Sequence, residues 1–344
     1  MYSDMTSLKI YTQSDVLAFI NKRKGEKKFG EKVTFITDAQ NLDQELTNST
    51  SKYVLFGINE SIGVKANGGR QGTETAWSSA LKSLLNTQNS PLNKGKNVLI
   101  LGSLEYSEKM ELSKKLNIDT PSDLQQLYTM VNEIDEDVTN LMFKIISAGK
   151  IPIVIGGGHN NAYGNIKGST LALNKPINVI NFDAHTDFRA LEGRHSGNGF
   201  SYAFQEGFLN RYFIFGVHEN YTSKKILKEL SSHNKHINYN TFEAIAIRKE
   251  TSFENEMQYA LNFIKTEKFG LEIDLDAIQN TASSAMTSSG FSANDARQFV
   301  SYFGKSKHVT YLHLCEAAPA LEHTNANQTG KLLAYLITDF MRAN

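Results

Sequence analysis

A single cysteine, Cys315, and only five prolines stand among the 344 residues, too few to staple or stiffen the chain. One thiol excludes an internal disulfide and a cysteine-based zinc site. An excess of one charge is lacking as well, since 36 Lys and Arg balance 36 Asp and Glu. Zero net charge gives no global attraction to nucleic acid or to an anionic membrane, so neither is expected as a partner. No run approaches the roughly 18 apolar residues that span a bilayer. The opening MYSDMTSLKIYTQSD holds neither the apolar stretch nor the small-residue cleavage site of a secretory signal. Repeats, low-complexity tracts and Pro/Gly-rich linkers are missing too. These absences leave a cytoplasmic globular protein as the expectation. The length suits one large α/β domain over 1–344, with 1–50 as an N-terminal extension.

What is present is a regular alternation. Nearly continuous Ile/Val/Leu/Phe runs predict strands at 33–37, 53–57, 97–101, 151–155, 177–182, 212–217, 270–275 and 308–314. Stretches of helical period fall at 73–85, 107–115, 122–148, 161–173, 223–232, 253–265, 293–303 and 328–342. Alternating strands and helices predict a mainly parallel sheet covered on both faces. The helix at 122–148 is expected to open on Ser122 as a cap, after Pro121, and to stop at Gly149.

Three polar motifs directly follow three of these strands. They are Gly156-Gly157-Gly158-His159-Asn160-Asn161, then Asp183-Ala184-His185-Thr186-Asp187, then Glu272-Ile273-Asp274-Leu275-Asp276. In an open parallel sheet ligands gather at the carboxyl ends of the strands, so motifs distant in sequence can converge there. Residues two apart near a strand end project to the same side, as Asp183, His185 and Asp187 do, and Asp274 and Asp276. Four carboxylates meeting two imidazoles in a cleft need cations, and two divalent ions balance them. Such mixed ligation suits Mn2+, and also Fe2+ or Co2+, better than it suits structural zinc. Paired metals lower the pKa of a shared water and supply hydroxide at neutral pH. A two-metal phosphatase or nuclease is disfavoured, because no phosphate-cradling Gly-rich loop with a lysine is visible.

In the order of these motifs, from about residue 62 to the C-terminus, the chain resembles the ureohydrolase superfamily of arginases, agmatinases and formimidoylglutamases. The resemblance implies a three-layer α/β/α fold and two Mn2+ per chain. The implied reaction is hydrolysis of a carbon–nitrogen bond in a small-molecule amidine or guanidino substrate, by a homo-oligomer. It implies His159, Asp183, Asp187 and Asp274 as ligands of one manganese, and Asp183, His185, Asp274 and Asp276 as ligands of the other. Asp276 would also help move a proton, and Glu316 would hold the cationic nitrogen group of the substrate.

Departures narrow the branch. The loop Gly63-Val64-Lys65-Ala66-Asn67-Gly68-Gly69-Arg70 is similar to that of formimidoylglutamases, with Asn67 and Arg70 as candidates for a substrate carboxylate. His195-Ser196-Gly197-Asn198 keeps the Ser-Gly-Asn of the arginase loop, which implies Ser196 and Asn198 as substrate contacts. Phe200 stands where arginases carry a proton-shuttling histidine, and His195 is the nearby substitute. Gly158 replaces an Asp common in arginases, Glu272 replaces the usual serine, and Gln279-Asn280 replace Asp-Pro. The expected reaction is conversion of N-formimidoyl-L-glutamate to glutamate and formamide. Arginase-type release of urea, or a non-catalytic metal-binding homologue, is the alternative.

Overall fold

The computed structural model of the protein describes residues 6–323 and 326–344. Among them nine strands form one sheet: β1 Leu8–Ile10, β2 Tyr53–Asn59, β3 Val98–Glu105, β4 Ile151–Ile155, β5 Ile177–Phe182, β6 Leu209–Val217, β7 Ile237–Thr241, β8 Phe269–Asp274 and β9 Val309–Cys315. Their order across the sheet is β1-β3-β2-β4-β9-β8-β5-β6-β7, and every pairing is parallel except that of β1 with β3.

The period of two along the strands sorts their side chains into two cores, one on each face. Tyr53, Leu55, Ile153, Ile155, Ile180 and Phe182 enter one core, with the helices Ala76–Leu84, Phe253–Ile264, Ala293–Gly304 and Gln328–Ala343. Val54, Phe56, Val154, Ile177, Val179 and Ile214 enter the other, beneath Pro121–Ser147, Ala162–Leu173 and Gly199–Gln205. The result is the three-layer α/β/α arrangement expected from the alternation. Each wholly buried Leu, Ile or Phe contributes roughly 1.5–3 kcal/mol by leaving water, which is what fixes the strand register.

The longest helix, Pro121–Ser147, opens on Pro121 rather than on Ser122. Proline suits the first helical position because its φ is already helical and no N–H is wasted there. Its buried residues Leu127, Met130, Val131, Ile134, Val138, Leu141, Met142 and Ile145 follow helical spacing, and Asp135 lies among them. Gly149 follows the end of the helix with φ 73, the left-handed value an αL stop requires.

Residues 33–37 do not form a strand. Thr34 makes one isolated bridge with Leu99 beside the sheet, and by Asp38 the chain is already capping a short turn. Strands β1 and β7 were not apparent as apolar runs because they are sheet edges. Their residues are mostly half-exposed, so hydrophobicity weakens there.

Candidate metal centre

Strand order explains why distant motifs meet. Strands β4, β9, β8 and β5 lie side by side, and their carboxyl ends lead directly into His159, Glu316, Asp274 with Asp276, and Asp183 through Asp187.

The turn after β4 is built on glycine and on a buried carboxylate. Gly156 and Gly157 have φ of 87 and 72, and a Cβ on Gly157 would lie 2.2 Å from the Asn161 side chain. At Gly158 a Cβ would meet Asn160 at 2.6 Å and Val64 at 2.8 Å, so a side chain here would have to displace both neighbours. Glu60, wholly buried just past β2, clamps this turn. Its Oε1 accepts from the Gly158 N–H at 2.8 Å and from Asn161 Nδ2 at 2.7 Å. Its Oε2 accepts from the N–H groups of Ile62 and Gly63. A desolvated carboxylate is tolerated when donors surround it like this.

The clamp presents His159, itself fully buried, to three carboxylates. Its Nδ1 lies 3.2 Å from Asp183 Oδ2, 2.8 Å from Asp187 Oδ2 and 3.1 Å from Asp274 Oδ2. His185 Nδ1 lies 3.0 Å from Asp276 Oδ2 and 3.7 Å from Asp183 Oδ1. Donor atoms of His159, Asp183, Asp187 and Asp274 all fall within 4.8 Å of one another, as do those of Asp183, His185 and Asp276, with Asp183 common to both groups. Backbone and neighbours aim these groups. Asp183 accepts from the His185 N–H at 2.6 Å and from Asn181 Nδ2 at 2.8 Å, and Asp274 accepts from the Asp276 N–H at 2.8 Å. Asp187 and Glu316 both have left-handed backbones, with φ of 44 and 58. Such strain in non-glycine residues persists only where the surroundings over-determine it, as at functional sites.

The donor set fits divalent cations. Both ring nitrogens of His159, Asp276 Oδ1 and Glu316 Oε2 are buried with no hydrogen-bond partner among the described residues. Burial and then the Asp183 charge push Asp187 up to about 6. Burial, then Asp276 and Asp183, hold Asp274 well above the carboxylate range. Burial also pushes Glu316 up to about 8. Carboxylates that resist ionising together are what nearby cations would relieve.

A cleft of about 550 Å3 opens above the cluster. Its floor holds His185, Asp187, Asp274, Asp276 and Glu316, and its walls include Asn67, Ser196, Arg189, Tyr221 and Lys225. Asn67 Nδ2 donates to Ser196 Oγ at 3.1 Å, and Arg189 donates to Asn67 Oδ1 at 2.6 Å and to Glu192 at 2.8 Å.

Three expected contacts are placed elsewhere. Arg70 is exposed, donates to the Ser284 carbonyl at 3.2 Å, and does not line the cleft. Asn198 is wholly buried, and its amide is occupied by Arg194, His195, Ala190 and Gly193. His195 is also buried and outside the lining. Its Nδ1 accepts from the Gly197 N–H at 3.1 Å, its Nε2 faces Glu192 at 3.2 Å, and burial lowers its pKa to about 4. The ring is a turn cap. Phe200 is a core side chain that meets His159 edge-on at 5.0 Å and stacks on Tyr212 at 4.4 Å.

Arg189, Lys225 and Glu60 escaped sequence reasoning, although signals existed for two of them. Arg189 continues the every-second-residue series 183, 185, 187, and Glu60 directly follows an apolar strand.

Comparison with known proteins agrees with this architecture. The model of the arginase family matches residues 51–342. A formimidoylglutamase of Streptococcus pyogenes serotype M12 is 28% identical over 236 residues, 64% of this chain and 69% of that protein. A crystal structure of Trypanosoma cruzi formiminoglutamase with Mn2+2 superposes with TM-score 0.70 at 19% identity, over 92% of this chain and 98% of that one. The formimidoylglutamase of Bacillus subtilis superposes with TM-score 0.73 at 16% identity, over 94% of this chain and 93% of that one.

Proposed function

The chain belongs to the arginase family, whose members are metal-dependent hydrolases of carbon–nitrogen bonds, and we propose that it cleaves N-formimidoyl-L-glutamate to glutamate and formamide with two Mn2+. The observation that carries this is the meeting of two imidazoles and four carboxylates at the strand ends, buried except for the half-buried His185 and Asp187, with both nitrogens of His159 lacking hydrogen-bond partners among the described residues. His159, Asp183, Asp187 and Asp274 would hold one ion, and Asp183, His185, Asp274 and Asp276 the other. When bound, such a pair acidifies water and stabilises negative charge developing on the oxygen added at the amidine carbon.

The side chains around the cluster supply binding and proton movement. Glu316 Oε1 is tied to the His159 N–H at 2.7 Å, which leaves Oε2 to accept from the cationic amidine nitrogen. Asp276 Oδ1, buried and without a hydrogen-bond partner among the described residues, takes a proton from the attacking water and passes it to the departing nitrogen. Tyr221, whose ring stacks on His185 at 5.2 Å, shields that side of the cleft from solvent.

Recognition of the tail falls to Arg189 and Lys225 rather than to Arg70, with Asn67 and Ser196 beside them. Among the described residues Lys225 has no carboxylate partner, and Arg189 shares its charge only with the exposed Glu192. A cleft with anions at its floor and cations on its wall suits a cationic amidine joined to an anionic tail. Agmatine, cationic at both ends, is disfavoured by the same charges. Relatives named formimidoylglutamase support this choice of substrate. Cytoplasmic location and self-association belong to the same proposal.

The test is a panel of formimidoylglutamate, arginine, agmatine and guanidinobutyrate offered to the Mn2+-loaded chain. Formamide from the first, at the highest kcat/KM, is expected. Urea from arginine with no formamide would overturn the substrate.

A further inference from the structure

Glu272 is wholly buried on β8, two residues before Asp274. Burying a lone carboxylate is expensive, so its partners are informative. The register places His313 of β9 directly opposite Glu272, with Tyr311 two residues before it on the same face. His313 Nδ1 lies 2.5 Å from Glu272 Oε2, and the Tyr311 hydroxyl donates to Oε1 at 2.7 Å. The other nitrogen of His313 faces the Gly156 carbonyl at 3.4 Å, which ties this pair to the turn that carries His159. The third neighbour of Glu272 is His159 itself, whose Nε2 lies 3.6 Å from Oε2. His159 turns Nδ1 toward Asp183, Asp187 and Asp274, so Nε2 is the rear of the ring, buried and without a hydrogen-bond partner among the described residues.

We propose that Glu272 is a positioning residue that accepts the Nε2–H of His159, fixing the tautomer whose bare Nδ1 faces the candidate metal centre, while His313 and Tyr311 aim the carboxylate. A displacement of a few tenths of an ångström brings the pair into hydrogen-bond range. A carboxylate behind a ligating imidazole orients the ring and makes its forward nitrogen a stronger donor. The role rests on the metal centre proposed above.

The experiment is Mn2+ binding to the full chain, followed by titration calorimetry and electron paramagnetic resonance, in wild type and Glu272→Gln. Glutamine keeps the volume and still accepts from Tyr311, but loses the charge behind His159. Expected is a loss of about 10–100-fold in affinity for one binding step, the step that His159→Ala abolishes. The other step, and the melting temperature without metal, should stay at wild-type values. His313→Asn leaves the charge and removes the ring that aims it, and about a tenfold loss in the same step is expected. Wild-type affinity in a folded Glu272→Gln, or in His313→Asn should the former not fold, overturns the role of Glu272 and leaves the two-metal centre standing. A wild-type chain that binds no Mn2+ overturns both.

Discussion

Arg194 and Asp135 form an ion pair far from water, both only 3% exposed, and breaking it should be the most costly single polar change near the site. The guanidinium makes two bonds to the carboxylate, Nε to Oδ2 at 2.8 Å and Nη2 to Oδ1 at 3.2 Å. It also donates to the Asn160 carbonyl at 2.9 Å and lies over the rings of Tyr163 and Tyr202, 5.0 Å from each. It therefore ties the loop before Ser196 and the turn after His159 to the helix Pro121–Ser147. Burial pushes Asp135 up to about 6 even though Arg194 works against it, so desolvation is not fully repaid by the pair. Replacing Arg194 by Met leaves an uncompensated buried carboxylate, which costs about 3–5 kcal/mol. A chain of 344 residues has an unfolding entropy of about 0.7 kcal/mol/K, so the melting temperature should fall by about 4–7 °C. Combining Arg194→Met with Asp135→Leu removes both charges and should recover at least about 2 kcal/mol of that loss. Differential scanning calorimetry of wild type, both single variants and the double variant measures the cycle. A single Arg194→Met within about 1 kcal/mol of wild type, or a double variant no more stable than it, would refute the reasoning.

The remaining predictions concern the site and its supports. His195 has its pKa depressed to about 4 from 6.5, so the unfolded chain binds the extra proton between these values. The stabilisation is complete above pH 6.5 and fades as pH falls through 4. By pH 5, wild type should have lost about 2 kcal/mol relative to His195→Gln in urea unfolding, and equal pH dependence of the two would sink the assignment. Since His195 does not line the cleft, a folded His195→Gln should keep kcat within about threefold, whereas a proton shuttle would lose about 100-fold or more. Glu60→Gln turns a hydrogen-bond acceptor into a donor opposite the Gly158 and Asn161 groups, and should destabilise the chain by about 1–3 kcal/mol in chemical denaturation. Arg189→Leu and Lys225→Leu should each raise KM for formimidoylglutamate about tenfold with little change in kcat. A fall in kcat at constant KM would place these cations nearer the chemistry.

Legibility followed burial. Strands β4 and β5 coincide with the mainly apolar runs 151–155 and 177–182, because strands covered on both faces are apolar nearly throughout, the buried Asn178 and Asn181 of β5 being the exceptions. The half-exposed edges β1 and β7 offer no such run. The ligand motifs were readable because strand ends and a spacing of two determine where side chains point, and His159, Asp183, His185, Asp187, Asp274 and Asp276 do converge. The direction of a loop side chain has no such local rule. Arg70 and His195 sit in suitable sequence positions, but one turns to a carbonyl across the cleft rim and the other caps a turn. His195 is held by its near neighbours Glu192 and Gly197, whereas the partner of Arg70, Ser284, lies 214 residues away and no spacing could nominate it. Asp135 is similar: on helical period it belongs to the buried face, and only the fold reveals Arg194 opposite it.

The claim at the centre of this account is that six side chains from the ends of β4, β5 and β8 build one two-metal site, with Asp183 common to both ions. Metal content per chain, measured by mass spectrometry of Mn2+-loaded and desalted protein, tests it most directly. Wild type should retain about two Mn2+ per chain, and Asp183→Asn no more than about one, with formamide release lost. A wild-type chain that retains fewer than about two ions, or an Asp183→Asn variant that still holds both, would contradict it.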